Sequence, residues 1–191
     1  TPGLVDGVLV TATQTGDSLI RDLSDSGMPF VVIGRPEESD GVFSVDVDNR
    51  GGARRAVRHL AELGRARIGM VAAPSNTTAG IDRRAGFLEG LATAGLDATT
   101  LIVEGTWSEE SGRRAMVEIL RHEPDAVFVA SDRMAVGALR AIREAGLRCP
   151  EDIAVVSFDG LINPDQTVPR LTSIAQPVFE TGERAATLLA A

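Results

Sequence analysis

The stretch "AVFVASDRMAVGALRAIREAGLRCPEDIAVVSFDG", residues 126–160, decides the fold. Its first five residues are apolar. Ala135, Ala138, Leu139 and Ile142 follow at the i, i+3, i+4, i+7 spacing of a helix with one buried stripe, which predicts a helix over 132–145. Gly146 closes that helix, and Pro150 stands just ahead of a second apolar run, where a helix cannot continue. The second run, "IAVVSF" (153–158), leads straight into Asp159 and Gly160. A carboxylate that close to an apolar interior is expensive unless something pairs with it.

The same alternation extends in both directions. Apolar, largely β-branched runs lie at 5–10, 30–34 and 67–73, as expected of parallel strands covered on both faces. Helical stripes lie at 49–63 (Ala53, Ala56, Val57, Leu60), 81–94 (Ile81, Ala85, Leu88, Leu91) and 111–121 (Ala115, Met116, Ile119). Asp48 or Asn49 can cap the helix expected over 49–63, and Gly64 ends it. The pattern is α/β with largely parallel sheets. "GVFSVDVDN" (41–49) breaks the order, because it follows a strand through a turn with no helix between, and a chain crossing between two lobes is expected there.

Composition excludes several classes. The 191 residues are 43% hydrophobic and carry a formal charge of −8, so this stretch by itself should repel nucleic acid and anionic membranes. Its only cysteine, Cys149, can form no internal disulfide, and His59 and His122 lack partners at metal-ligand spacing. No metal and no cofactor is expected. No apolar run approaches the ~20 residues a membrane span needs, and the first residues do not read as a signal peptide.

In open parallel sheets, ligands gather beyond the carboxyl ends of the strands. Those ends carry Thr11 and Thr13, Gly34-Arg35, Ser131-Asp132 and Asp159, while the loop after the run 67–73 leads to Arg83. Hydroxyls, carboxylates and guanidinium groups suit hydrogen bonding to a polyol or heterocycle better than bond-breaking. No G-x-G-x-x-G follows a strand, no phosphate loop of the G-x-x-x-x-G-K-[ST] type occurs, and no G-x-S-x-G elbow is present. No catalytic residue is assigned.

The blocks "VDGVLV", "VDNRGGARRAVRHLAELGRARIGMV", "RRAGFLEGL", "EGTWSEESG", "ASDRMAVGALRAIREAGLRCPEDIAVVSFDG" and "PRLTSIAQP" occur in this order from Val5 onward. Together they resemble the effector-binding domain of lactose-repressor (LacI/GalR-type) transcription regulators. The resemblance implies a two-lobed, periplasmic-binding-protein-like fold, each lobe a parallel sheet flanked by helices. Residues 1–46 would form part of the N-terminal lobe, 47–174 the C-terminal lobe, and 175–191 a crossing back. It further implies an N-terminal lobe that is incomplete here, a helix-turn-helix headpiece missing upstream, and final strands missing beyond Ala191.

By resemblance, Arg83 is the arginine of an "RxxGF" motif that bonds the effector, and Asp159 is the cleft aspartate. Trp107 matches an aromatic position, where stacking on a ligand and ordinary core packing both remain open. Ser131 stands where many relatives have asparagine, so its contact is weaker. Its neighbour Asp132 is expected to be the N-cap of the helix 132–145. Gln176 lies at the lobe crossing, and Thr11, Thr13, Arg35 and Asp46 are lesser candidates. The implied function is binding of a small molecule, a sugar or related metabolite, with ligand-induced lobe closure controlling operator DNA through the absent headpiece. The implied setting is a cytoplasmic homodimer with no membrane partner, whose dimer surface includes the helix 132–145 and the loop 161–169. A periplasmic-type sugar-binding protein of a transport system is the alternative, and an enzyme is a third class.

Overall fold

The computed structural model describes residues 5–11, 14–37, 41–97 and 101–191. Among these the elements run β1 (Val8–Thr11), α1 (Leu19–Ser26), β2 (Phe30–Ile33), β3 (Ser44–Val45), α2 (Asn49–Glu62), β4 (Ile68–Ala72) and α3 (Thr78–Ala94). They continue as β5 (Ile102–Glu104), α4 (Glu109–Leu120), β6 (Ala126–Val129), α5 (Asp132–Glu144), β7 (Ala154–Asp159), β8 (Thr172–Ala175) and α6 (Val178–Leu189). The chain divides into two compact units. One comprises the residues up to Val47 with Asn76–Ala79 and Pro177–Ala191; the other comprises Asp48–Ser75 and Gly80–Gln176.

In the first unit β1, β2 and β3 pair in parallel in that order, with Val31 and Val32 buried at the centre. α6 covers this sheet. Leu189 packs so closely on Gly7 that a Cβ there would come within 2.9 Å of its Cδ1. The Thr78 hydroxyl donates to the Arg35 carbonyl at 2.7 Å.

In the second unit the order is β5-β4-β6-β7-β8, every pairing parallel. β4 and β6 are buried along their whole length, which is why their sequences are unbroken apolar runs rather than alternating ones. Phe87 of α3 stacks on Phe128 of β6 with ring centroids 6.1 Å apart, and both are fully buried. Each such side chain contributes about 1.5–3 kcal/mol of apolar burial.

Short polar side chains start the helices. Asp48 accepts the Gly51 N–H at 2.7 Å to cap α2, and Ser108 accepts the Ser111 N–H at 3.2 Å to cap α4. α4 and α5 then meet backbone to backbone. A Cβ on Gly112 would fall 2.1 Å from the Met134 carbonyl oxygen, and one on Gly137 would fall 1.9 Å from that of Glu109.

Most expected elements are present, displaced by a few residues at their ends. Five were not read from the sequence: α1, β3, β5, β8 and α6, β3 lying in the stretch 41–49 read only as a lobe crossing. The helix cap expected at Asp132 belongs instead to Ser131, whose hydroxyl accepts the Met134 N–H at 3.3 Å. Asp132 is the first residue of the helix proper. There its carboxylate reaches away from the helix to other partners, whereas the extended backbone of Ser131 aims its side chain back at the first turn.

Candidate functional site

The site is built at the end of β7. The strand's last residue, Asp159, has φ of +116°, a left-handed backbone that an aspartate adopts only under constraint. Its Oδ1 accepts from Arg83 Nη1 at 2.9 Å and from Gln176 Nε2 at 2.6 Å, and its Oδ2 lies 3.4 Å from the Asp132 N–H. These bonds supply the partner that a carboxylate leaving a buried strand requires. The Asp159 side chain keeps 18% of its surface open, while that of Arg83 keeps 5%. Burial pushes the Asp159 carboxyl above its ordinary range, with Arg83 and the Gln176 amide pulling it back.

Arg83 projects from α3, and its guanidinium is fixed on several sides. Nε donates to Asn49 Oδ1 at 2.9 Å, and Nη1 donates also to the Ala130 carbonyl at 2.6 Å. Its Cζ lies 3.8 Å from the centroid of the Phe158 ring and 5.6 Å from that of Trp107. A guanidinium stacked on an aromatic face, with its fork of donors locked by neighbours, is a rigid recognition group. Trp107 is half-buried, with φ of +63°, and packs on the edge of the core.

The structure thus brings Arg83, Asp159, Gln176 and Trp107 together. Ser131, 3% exposed, adjoins them in sequence through Ala130 and Asp132, and its hydroxyl is used to cap α5. In the other unit, Thr11 ends β1 and is exposed, and Arg35 is exposed as well. Asp46 is also exposed and folds its carboxylate onto the Val47 N–H at 2.8 Å. Thr13 lies outside the described residues. A groove of about 660 Å³ opens between α2 and α3, lined by Arg54, Arg55 and Arg58 among others, and neither Arg83 nor Asp159 lines it.

Sequence reasoning missed Asn49 and Phe158, which hold the arginine, and the Ser157–Asp132 pair described below. One signal was available for the last: Ser157 is a lone hydroxyl inside an otherwise apolar strand, so it needs a partner.

Two parallel α/β units, one with polar side chains clustered at a strand's carboxyl end, place the chain among open-sheet α/β binding domains. A family model described as a periplasmic binding protein-like domain matches residues 57–191. The HTH-type transcriptional regulator CelR of Thermobifida fusca is 41% identical over 190 residues, covering 97% of this chain and 56% of the relative. A solved CelR–cellobiose complex superposes with a TM-score of 0.92 at 40% identity, covering 99% of this chain and 59% of that one. A regulatory protein of the LacI family from Chloroflexus aggregans gives a TM-score of 0.89 at 33% identity, with 98% and 69% covered. The chain belongs to the LacI family of transcriptional regulators. It spans about half the length of the curated relatives it matches.

Proposed function

We propose that this chain binds the effector of a LacI-type transcriptional regulator, and that the effector is a neutral sugar. The reading rests above all on Asp159, a carboxylate held at a strand end by Arg83 and Gln176 with 18% of its side chain open. A carboxylate accepts two vicinal hydroxyls, the adjacent guanidinium compensates its charge, and Trp107 offers an apolar face of the kind that sugar rings stack on. That the CelR structure was solved with cellobiose supports the choice of a sugar over a nucleobase.

Arg83, Asp159, Trp107 and Gln176 form the core of the ligand set, with Ser131, Thr11, Arg35 and Asp46 in lesser roles. The lobes correspond to the two compact units, which divide after Val47 and after Gln176, one and two residues beyond the bounds of 46 and 174 expected from the sequence. The protein works in the cytoplasm as a homodimer and catalyses no reaction; its relatives are regulators of transcription. Operator DNA is contacted by a headpiece that this acidic stretch does not supply. Occupancy shifts the regulator's conformational equilibrium only by the ligand's differential affinity for its two states.

The test is calorimetric titration with cellobiose, glucose and adenine. A saturable sugar isotherm is expected, abolished by Asp159→Ala while that variant still melts cooperatively. Undiminished affinity in Asp159→Ala, or binding of the nucleobase alone, refutes the assignment.

A further inference from the structure

We propose that Asp132, which touches no ligand, is the positioning residue that holds Asp159 in its binding geometry and fastens residues 160–162 to it. This rests on the reading of Asp159 as the effector's carboxylate.

Asp132 heads α5 and is 2% exposed. Among the described residues no arginine pairs with it, so its charge must be met by hydrogen bonds and by the helix N-terminus it occupies. Its Oδ1 accepts from Ser157 Oγ at 2.5 Å and from Ser173 Oγ at 2.6 Å. Its Oδ2 accepts the Leu161 N–H at 2.8 Å and the Ile162 N–H at 3.3 Å. Ser157 and Ser173 face one another in the β7–β8 register, so one carboxylate clamps α5, two neighbouring strands and the turn that follows β7.

The turn is where the clamp matters. The Gly160 N–H donates to Ser173 Oγ at 3.0 Å, and that same hydroxyl donates to Asp132. Three consecutive amides after Asp159 therefore end on Asp132, two directly and one through a serine. On the other side the Gln176 N–H donates to the Asp159 carbonyl at 2.8 Å, continuing the β8 pairing. Chain direction is fixed immediately after Asp159 and beside it, which is what a left-handed aspartate needs in order to persist. The carboxylate that would meet the ligand is aimed from behind by one that cannot.

The variants are Asp132→Asn and Ser173→Ala, each read by cellobiose calorimetry and by amide hydrogen exchange in the ligand-free protein. In Asp132→Asn the side-chain oxygen can still accept from the Leu161 and Ile162 N–H groups while the new NH₂ donates to the serine hydroxyls, which turn to accept, but every one of these bonds loses its charge assistance. The variant therefore folds, with sugar affinity weakened about tenfold or more, the scale of one hydrogen bond to a charged group. Exchange at Leu161 and Ile162 accelerates. So does exchange at Gln176, whose amide bonds to Asp159 and not to Asp132, by about tenfold beyond any change in β4 and β6. Ser173→Ala weakens affinity in the same direction, and the double variant loses less than the product of the two.

Wild-type affinity in folded Asp132→Asn overturns the proposal. So does Gln176 exchange that moves only in step with β4 and β6, since that is what general destabilisation alone produces. Should Asp132→Asn fail to fold, Ser173→Ala decides by the same two readouts. If the wild type binds no sugar, the effector reading fails, while Gln176 exchange in the ligand-free variants still decides whether Asp132 positions Asp159.

Discussion

Replacing Arg83 with methionine removes a guanidinium that serves Asp159, Asn49 and the Ala130 carbonyl, yet keeps an unbranched apolar stem over Phe158. Stripping one partner from a buried ion pair costs about 3–5 kcal/mol, mostly because the other charge is left behind. Asp159 retains 18% of its side-chain surface, so the lower end, about 3 kcal/mol at pH 7, is expected. Asp159→Asn keeps an acceptor for Arg83 and should cost only about 1–2 kcal/mol. The double variant carries no stranded carboxylate, so its loss should fall short of the sum by about 1–3 kcal/mol.

The pH dependence gives a second signature. Burial already raises the Asp159 carboxyl, and without Arg83 it rises further. An acid whose folded pKa lies above its unfolded value contributes stability that is fully present below the unfolded pKa and lost as pH rises through the folded one. The Arg83→Met deficit should therefore shrink from pH 7 to pH 5, by up to about 1.4 kcal/mol for each unit by which the variant's folded pKa exceeds that of the wild type. Urea unfolding followed by circular dichroism at both pH values measures it. Losses that add within about 0.5 kcal/mol, together with a deficit that ignores pH, would refute the view that Arg83 compensates a desolvated Asp159.

Three further outcomes can be checked on the same material. Gly137→Ala gains helix propensity of about 1 kcal/mol but drives a methyl into the Glu109 carbonyl, so it should destabilise by about 1–3 kcal/mol net. Gly182→Ala, in open space on α6, should instead stabilise by about 0.5–1 kcal/mol, and a higher melting temperature for both variants would mean α4 and α5 are not in backbone contact. Trp107 is the only tryptophan in a chain without tyrosine, so its emission should change on titration with a bound sugar. Unchanged emission, with binding shown by calorimetry, places Trp107 outside the site.

The central strands and helices were legible because their burial is written into composition: β4, β6 and β7 are runs with almost no polar residue, and the stripes of α2 and α5 match their buried faces. The missed elements lack that imprint. β5 and β8 are edge strands of three and four residues, half-exposed, and α1 buries nothing. α6 buries Ala185 while Phe179 stands 78% exposed, so its apolar residues do not mark a covered face. Within the site, Asp159 and Arg83 could be found because strand ends and a local motif point to them. Ser173 could not, and Asn49 and Asp132 were legible only as helix caps, since the bonds Asn49–Arg83, Asp132–Ser157 and Asp132–Ser173 span 25–41 positions and only the folded sheet brings them into reach.

The backbone at Asp159 has a practical bearing on engineering. Its left-handed φ of +116° is one that glycine occupies without penalty and aspartate tolerates at about 1–3 kcal/mol. Asp159→Gly would release that strain but leave the Arg83 guanidinium, 5% exposed, without its carboxylate, a loss of about 3–5 kcal/mol that outweighs the relief. Biosensors built on this scaffold should keep codon 159 out of the library and seek their robustness elsewhere.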